Sequence, residues 1–457
     1  MMRLATLLCL AAAPIAAAQC NLDVIAPFDI IAGDAYGVSC DIGPDLALVG
    51  AYDAGLEAGA VYALHRIGDV FELDHKLMAA DADPFDQFGS AVALCADVAV
   101  IGAPLDEVNG FASGSAYVFE YLVDDNHWQQ AAKLLAFDAS PYDVYALATA
   151  TNADFAFIGC PEDDDVDVGA GSVYVYARTE DWAFTQKLLA LDAAAGDRFG
   201  ESIDADGDTL VVGASHVNTD GVSAGAAYVF VREGDTWIQQ ARLVPPQPEF
   251  IQSFGISVSI DDDFIAIGAP HADAGAVDGG AVFAFRRIGD EWVLESTVTP
   301  DDVAPDDFFG SCVSIGDQEL VVGSNAPDPR TDLVGSAYVF ARAPGGDWKQ
   351  IDRLAPPVEH HASNFGWSVG VAGDTAIVGA PFGTGPSPNT GASFLVDLDT
   401  CICPADVDLD GLLSILDFVA LQLAFVAADP VADVNGDGAL DILDFVDFQL
   451  LFVSGCH

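Results

Sequence analysis

The sequence predicts an all-β, seven-bladed β-propeller followed by a small α-helical module with two EF-hand-type calcium loops. Three observations carry this expectation. A repeat of about 55 residues runs through most of the chain. Each copy holds four apolar runs of strand length separated by turn residues. After Cys403 the pattern changes abruptly to two tandem Asp-rich loops.

Each copy of the repeat opens on an aromatic-Gly step, at Tyr36-Gly37, Phe88-Gly89, Phe199-Gly200, Phe254-Gly255, Phe309-Gly310 and Phe365-Gly366, with Tyr142-Asp143 read as a degenerate copy. A second step ends the next strand: Gly50-Ala51-Tyr52, Gly102-Ala103-Pro104, Gly159-Cys160-Pro161, Gly213-Ala214-Ser215, Gly268-Ala269-Pro270, Gly323-Ser324-Asn325 and Gly379-Ala380-Pro381. The third strand starts at Gly59, Gly114, Gly171, Gly225, Gly280, Gly335 and Gly391. Trp128, Trp182, Trp237, Trp292 and Trp348 mark the fourth, with Phe71 in their place in the first copy. That makes seven repeats, each with the composition of one four-stranded blade. Small residues suit the crowded axis, and the larger aromatics belong between blades, where sheets pack face to face.

The seventh repeat stops after its third strand, near Leu398. The extended segment from Cys20 to Ala26 is placed to supply the missing fourth strand, which closes the ring and removes exposed edges. Cys20 and Cys401 then fall at the same end of an antiparallel pair, a natural place for a disulfide in an exported protein. Other pairings among Cys20, Cys401, Cys403 and Cys456 stay open, because sequence does not fix connectivity. Cys40, Cys95, Cys160 and Cys312 fall within strand patterns and are expected as buried thiols.

Hydrophobic residues make up 52% of the chain, which places it among globular proteins despite its charge. Against 71 Asp+Glu stand only 15 Lys+Arg, a formal net charge of -56. Such a surface repels nucleic acid and anionic membranes, since binding phosphate requires cations, and it draws divalent cations. The N-terminus reads as a secretory signal over residues 1–18, with Arg3, the apolar run Leu4 to Ile15 and the small residues Ala16-Ala17-Ala18 before Gln19. No later stretch has the roughly 20 apolar residues of a membrane helix. The expected product is secreted, with a propeller over residues 19–400 and a separate module over residues 401–457.

The alternation of Phe-Gly with Gly-Ala-Pro resembles the FG-GAP repeat of integrin alpha-chain propellers and bacterial secreted proteins, over about residues 20 to 400. In that family the resemblance implies a ligand face built from the loops between strands two and three and the connections between blades. Here those loops are acidic: Asp106 to Ser113, Glu162 to Gly169, His216 to Ser223, His271 to Asp278 and Asp328 to Asp332. Integrin-type repeats often insert a calcium loop between Phe-Gly and Gly-Ala-Pro. The intervals here, such as Asp204-Ala205-Asp206-Gly207-Asp208 or Asp261-Asp262-Asp263, are too short, so no propeller calcium is expected.

The C-terminal loops follow a calcium-binding plan. In the first, Asp406, Asp408 and Asp410 take positions 1, 3 and 5, Gly411 makes the sharp turn, Leu412 offers its carbonyl, Ser414 sits at 9 and Asp417 at 12. The second repeats it with Asp433, Asn435, Asp437, Gly438, Ala439, Asp441 and Asp444. Hard oxygen ligands at this spacing wrap one Ca2+ each, so two ions are expected. Asp at position 12 and the lack of an incoming helix resemble dockerin modules, whose paired loop-helix units bind a cohesin domain on a partner. The following helices, Ile415 to Phe425 and Ile442 to Phe452, are apolar, and Ile415, Leu416, Ile442 and Leu443 are candidates for the partner face. The closing Gly455-Cys456 resembles a bacterial dockerin subtype, which implies that Cys403 and Cys456 staple the module's ends.

No Ser-His-Asp signature, His-Glu-x-x-His or phosphate loop occurs. His360-His361 reads as a solvated pair, and His216 and His271 as equivalent positions on one face. The expectation is a non-catalytic binding or scaffold propeller, anchored through the module to a cohesin-like partner and free to meet a protein or polysaccharide ligand. The alternatives are a dockerin-borne carbohydrate-active enzyme, a lyase or hydrolase, and a calcium-dependent adhesin. Perturbed titratable groups in the axial channel or on the loop face favour the enzyme, and uniform solvated carboxylates there favour binding.

Overall fold

The computed structural model describes residues 13–14 and 20–454, less positions 69, 180, 220, 317, 328–333, 344–345, 357–363, 384, 386–388, 402–404, 408, 410–411, 414, 428–429, 433, 435–439 and 441. Seven four-stranded antiparallel sheets form the propeller. Blade 2 is representative: Ala91–Cys95, Val98–Ala103, Ser115–Leu122 and His127–Leu134 pair in that order. The first strands of successive blades pack on one another around the axis. In blades 1 to 6 the third and fourth strands pair with a bulge, between Gln130 and Ala132 in blade 2, which adds twist to the outer edge.

The repeated Gly steps meet across neighbouring blades. Gly213 of blade 4 faces the carbonyl of Gly255, which opens blade 5, and a Cβ at Gly213 would lie 2.0 Å from that oxygen. Gly255 itself has φ +91, a conformation glycine adopts without steric cost. Beside it Phe254 is fully buried, and its N–H donates to the Ala224 carbonyl of blade 4 at 2.9 Å. The motif is therefore a backbone seam between blades. Aromatics fill the same boundary: Trp237 of blade 4 packs edge-on to Phe155 and Phe157 of blade 3, centroids 5.6 and 5.0 Å away.

One repeat position needs correction. Tyr142 is 65% exposed, and the buried aromatic that opens blade 3 is Tyr145, at 0%. Ala146 takes the glycine's place at φ 68, and its N–H donates to Gly159 O at 2.8 Å as the other copies do. The absence of glycine after Tyr145 hid the true register.

The ring closes as expected. Asn21–Ile25 pairs antiparallel with Ala392–Asp397 as the outer strand of blade 7. Cys20 and Cys401 form a disulfide, with Cα atoms 4.5 Å apart. Cys40, Cys95, Cys160 and Cys312 are thiols; burial pushes Cys40 up to about 12 and Cys160 well above its ordinary value. Cys403 and Cys456 lie outside the described residues.

After Cys401 come two 13-residue helices, Ile415–Ala427 and Ile442–Ser454. Leu421, Ala424 and Phe448 form a small core with Ala405, Val407 and Ala432. Among the described residues no helix is long and apolar enough to cross a membrane. Ala13–Pro14 pairs with Leu412–Leu413, a two-residue contact that cleavage after Ala18 would remove.

Candidate ligand face

In a four-stranded meander the loop between strands two and three and the connection to the next blade leave from the same end. Two features of the chain lie there. The first is a cluster of a third-strand tyrosine, a fourth-strand cation and carboxylates from the two loops. Lys133 Nζ donates to Asp81 and Asp106, both at 2.7 Å, and lies 5.0 Å from the Tyr117 ring, whose hydroxyl donates to the same two carboxylates at 3.1 Å. Lys187 repeats this with Asp138, Asp163 and Asp165 over Tyr174. Lys76 pairs with Asp29 over Tyr62, Arg242 with Asp192 beside Tyr228, and Arg353 with Asp302 over Tyr338.

Burial pushes the Lys133 ammonium down, but the hydrogen bonds to Asp106 and Asp81 outweigh it, and its pKa stands above the usual lysine value. The acidic loops are thus partly self-neutralised: Asp106 and Asp163 are 5% and 4% exposed rather than solvated. Sequence reasoning missed these clusters, although an Asp stands five residues after each of Lys76, Lys133 and Lys187, at Asp81, Asp138 and Asp192. A second set of carboxylates, Asp34, Asp86, Asp143, Asp197 and Asp307, caps the turn before five of the opening aromatics by accepting from the N–H three residues earlier. Burial pushes Asp143 up to about 6.

The second feature is exposed apolar surface between these carboxylates. Phe28, Phe137 and Leu191, each just before a cluster Asp, are 92%, 68% and 84% exposed. Phe111 and Tyr142 pair at 5.3 Å with more than half of each side chain open to solvent. These exposed apolar groups stand among acidic neighbours on the loop face.

The two histidines of this face keep separate company. His216 bonds Ser215 Oγ at 2.9 Å, and His271 bonds Asp278 at 3.2 Å with Phe308 against its ring. Asp328 to Asp332 and His360-His361 lie outside the described residues.

In the axial channel, burial pushes Asp41 up to about 7 and Asp204 up to about 6. Each carboxylate accepts from the next blade's inner strand, Asp41 from Leu94 N at 2.7 Å and Asp204 from Ile260 N at 2.8 Å. They peg neighbouring strands together.

Of the expected calcium ligands, Asp408, Asp410, Ser414, Asp433, Asn435, Asp437, Ala439 and Asp441 lie outside the described residues, and Leu412 is placed by its backbone alone. Asp406 is buried at 7%, and Asp417 and Asp444 are fully buried in the first turns of the two helices. A carboxylate is costly to bury unless a cation or hydrogen bonds hold it. Carboxylates at position 12 of both loops are the donor type an oxygen cage for Ca2+ uses. Among the described residues alone, no group of three or more acidic, His or Cys side chains forms a metal cluster.

Fold and face together define a seven-bladed propeller that presents an acidic, partly apolar loop face. Residues 71–119, 128–176, 182–230, 237–285, 292–340 and 348–396 match the FG-GAP repeat, and the chain belongs to that family. Each matched unit starts at a fourth strand, at Phe71 or a Trp, and ends in the next blade's third strand, so the units overlap the blade boundaries. The seventh such unit would begin at Asn21–Ile25, where no aromatic marks the strand. Among curated proteins none matches the chain.

Proposed function

We propose that this is a secreted, non-catalytic binding or scaffold propeller, exported through residues 1–18 and tethered by its C-terminal dockerin-like module to a cohesin-like partner at the cell surface or in an extracellular complex. One observation carries the tether. Leu416, Val419 and Leu423 are 56%, 44% and 65% exposed, and Leu443, Val446 and Leu450, each 27 positions on, are 50%, 46% and 63% exposed. Spacing of three and four residues puts each set on one helix face. Two equivalent apolar stripes on a small module suit a partner groove. Ile442 is also exposed, at 70%.

Calcium, when bound, supplies the charge that organises the two loops; Asp406, Asp417 and Asp444 hold their ends of it. The loop face is the ligand side of the design. A second reading, a carbohydrate-active enzyme, draws on Asp41 and Asp204, whose raised pKa values suit acid-base work. Their backbone hydrogen bonds favour the structural role, and the binding reading is preferred.

The test is retention of the intact protein at its cell surface or complex, with calcium and with chelator, against the Leu416→Asp, Leu443→Asp double variant. Calcium-dependent retention lost in the variant supports the tether. Equal retention of both proteins, or of a chain lacking residues 401–457, sinks it.

A further inference from the structure

Blades 5 and 7 lack the cation cluster that blades 1 to 4 and 6 share; in blade 7 the tyrosine and cation positions are Phe394 and its register partner Val24. Where blade 2 has Asp81, Asp106, Tyr117 and Lys133, the equivalent positions of blade 5 are Gln247, Ala272, Phe283 and Thr297. Phe283 and Thr297 are register partners, as Tyr117 and Lys133 are. The four substitutions remove the long cation and both of its carboxylates together. They leave a cavity of about 250 Å³ open to the loop face, lined by Gln247, Gln252, Phe283 and Thr297.

The cavity keeps the character of the site it replaces. Phe283 supplies an aromatic floor where blades 2 and 3 have a tyrosine ring under the cation. Two carboxylates, Glu249 and Asp273, stand at its rim. Glu249 accepts from Asp273 N at 3.1 Å, which ties the blade connection to the strand two–three loop. Neither makes an ion pair among the described residues, whereas the clustered Asp81, Asp106, Asp138 and Asp163 all do. Gln252, 3% exposed, forms part of the wall, and its Oε1 accepts from Glu249 N at 3.3 Å.

We propose that blade 5 takes from a protein ligand the cation that blades 1 to 4 and 6 supply from their own fourth strand: the cavity is a socket for a lysine side chain. The methylene stem lies on Phe283 and the ammonium meets Glu249 and Asp273, with the cation–π and charge-assisted contacts seen internally at Lys133 and Lys187. The socket deepens the reading of this face as a ligand face and rests on it.

The full-length protein is titrated with acetyl-Gly-Lys-Gly-amide and with its neutral norleucine analogue, at about 0.15 M salt so that long-range attraction is screened. The methyl resonances of Ala272, Ala274 and Thr297 are followed. Saturable shifts with the lysine peptide, at least tenfold weaker with norleucine, are expected. Thr297→Lys refills the socket from within, as Lys76, Lys133 and Lys187 do in blades 1 to 3, and abolishes them. Thr236→Lys, which adds the same charge at the hairpin on the opposite face, preserves them. Equal response to both peptides, persistence in Thr297→Lys, or equal loss in Thr236→Lys overturns the socket. Failure of the face reading has a different signature. Phe111→Ser with Tyr142→Ser then leaves adhesion to cells unchanged, while the peptide shifts and their loss in Thr297→Lys remain.

Discussion

Cys20 is bonded to Cys401 one step beyond the Asn21↔Asp397 pair that ends the closing strand. In blade 6 the corresponding step beyond the Ala341↔Lys349 pair is Arg342↔Trp348, with Trp348 buried at 8%. The disulfide thus stands where the other blades anchor their outer strand with a large aromatic. The closing strand brings no such ring, and the covalent link holds the two ends of the propeller instead.

Removing that link with Cys20→Ser and Cys401→Ser is expected to lower stability by about 2–4 kcal/mol, because it releases a very long loop in the unfolded chain. The loss is read from the denaturant midpoint. Amide exchange should rise first in Asn21–Ile25 and Ala392–Asp397, since local opening begins where anchoring is weakest. An unchanged midpoint would mean that strand pairing alone closes the ring.

The cation clusters differ in burial, and that difference predicts a difference in cost. Lys187 and Asp163 have side chains 12% and 5% exposed, whereas Lys76 and Asp29 are 34% and 37% exposed. Lys187→Met leaves buried carboxylates without their cation and should cost about 3–5 kcal/mol. Lys76→Met removes a screened pair and should cost about 1 kcal/mol or less. Equal costs by urea unfolding would contradict the burial argument.

The fold was legible because the glycine and aromatic steps recur at fixed spacing, each with a steric reason at the blade seam. The misplaced third repeat came from a rule broken locally: Ala146 holds φ 68 where the sister copies have glycine. The clusters were harder to read, since Lys133 and Asp81 lie 52 residues apart and only the folding of the blade and its entering connection brings them together. Ala146→Gly should relieve left-handed strain and stabilise by roughly 1 kcal/mol. Gly200→Ala places a Cβ 2.5 Å from Ser172 O and should cost about 2 kcal/mol or more. Thermal melts of the two variants should move in opposite directions.

The channel carboxyls set a pH dependence. Burial raises Asp41 from its ordinary 3.8 to about 7 and Asp204 to about 6. Between the unfolded and folded values the native state holds more protons than the unfolded chain, so stability falls as pH rises through that window. The protein should be more stable near pH 5 than near pH 8. Asp41→Asn keeps an acceptor for Leu94 N without the charge, and should gain about 2 kcal/mol at pH 8 and almost nothing at pH 4. The Arg178 hydrogen bonds to Asp97 act oppositely. They hold that carboxyl below its ordinary value, so its contribution is present above the unfolded pKa and lost in acid. A flat profile from pH 5 to 8 for the native protein, or no change in Asp41→Asn, would contradict this assignment.

Calcium should stabilise the module and leave the propeller indifferent. Asp417 and Asp444 are buried at the start of their helices, at position 12 of the two expected calcium loops. Binding to the folded state adds stability as RT ln(1 + [L]/Kd), about 4 kcal/mol at a thousandfold excess over Kd, all of it confined to residues 401–457. Calorimetric titration of the intact protein should therefore give two tight sites. Asp417→Ala and Asp444→Ala should each remove one, and a chain ending at Thr400 should lack both. If tight sites persist in that shortened chain, calcium belongs to the propeller loops. The ligand face would then be organised by metal, and the calcium-dependent adhesin would become the better account.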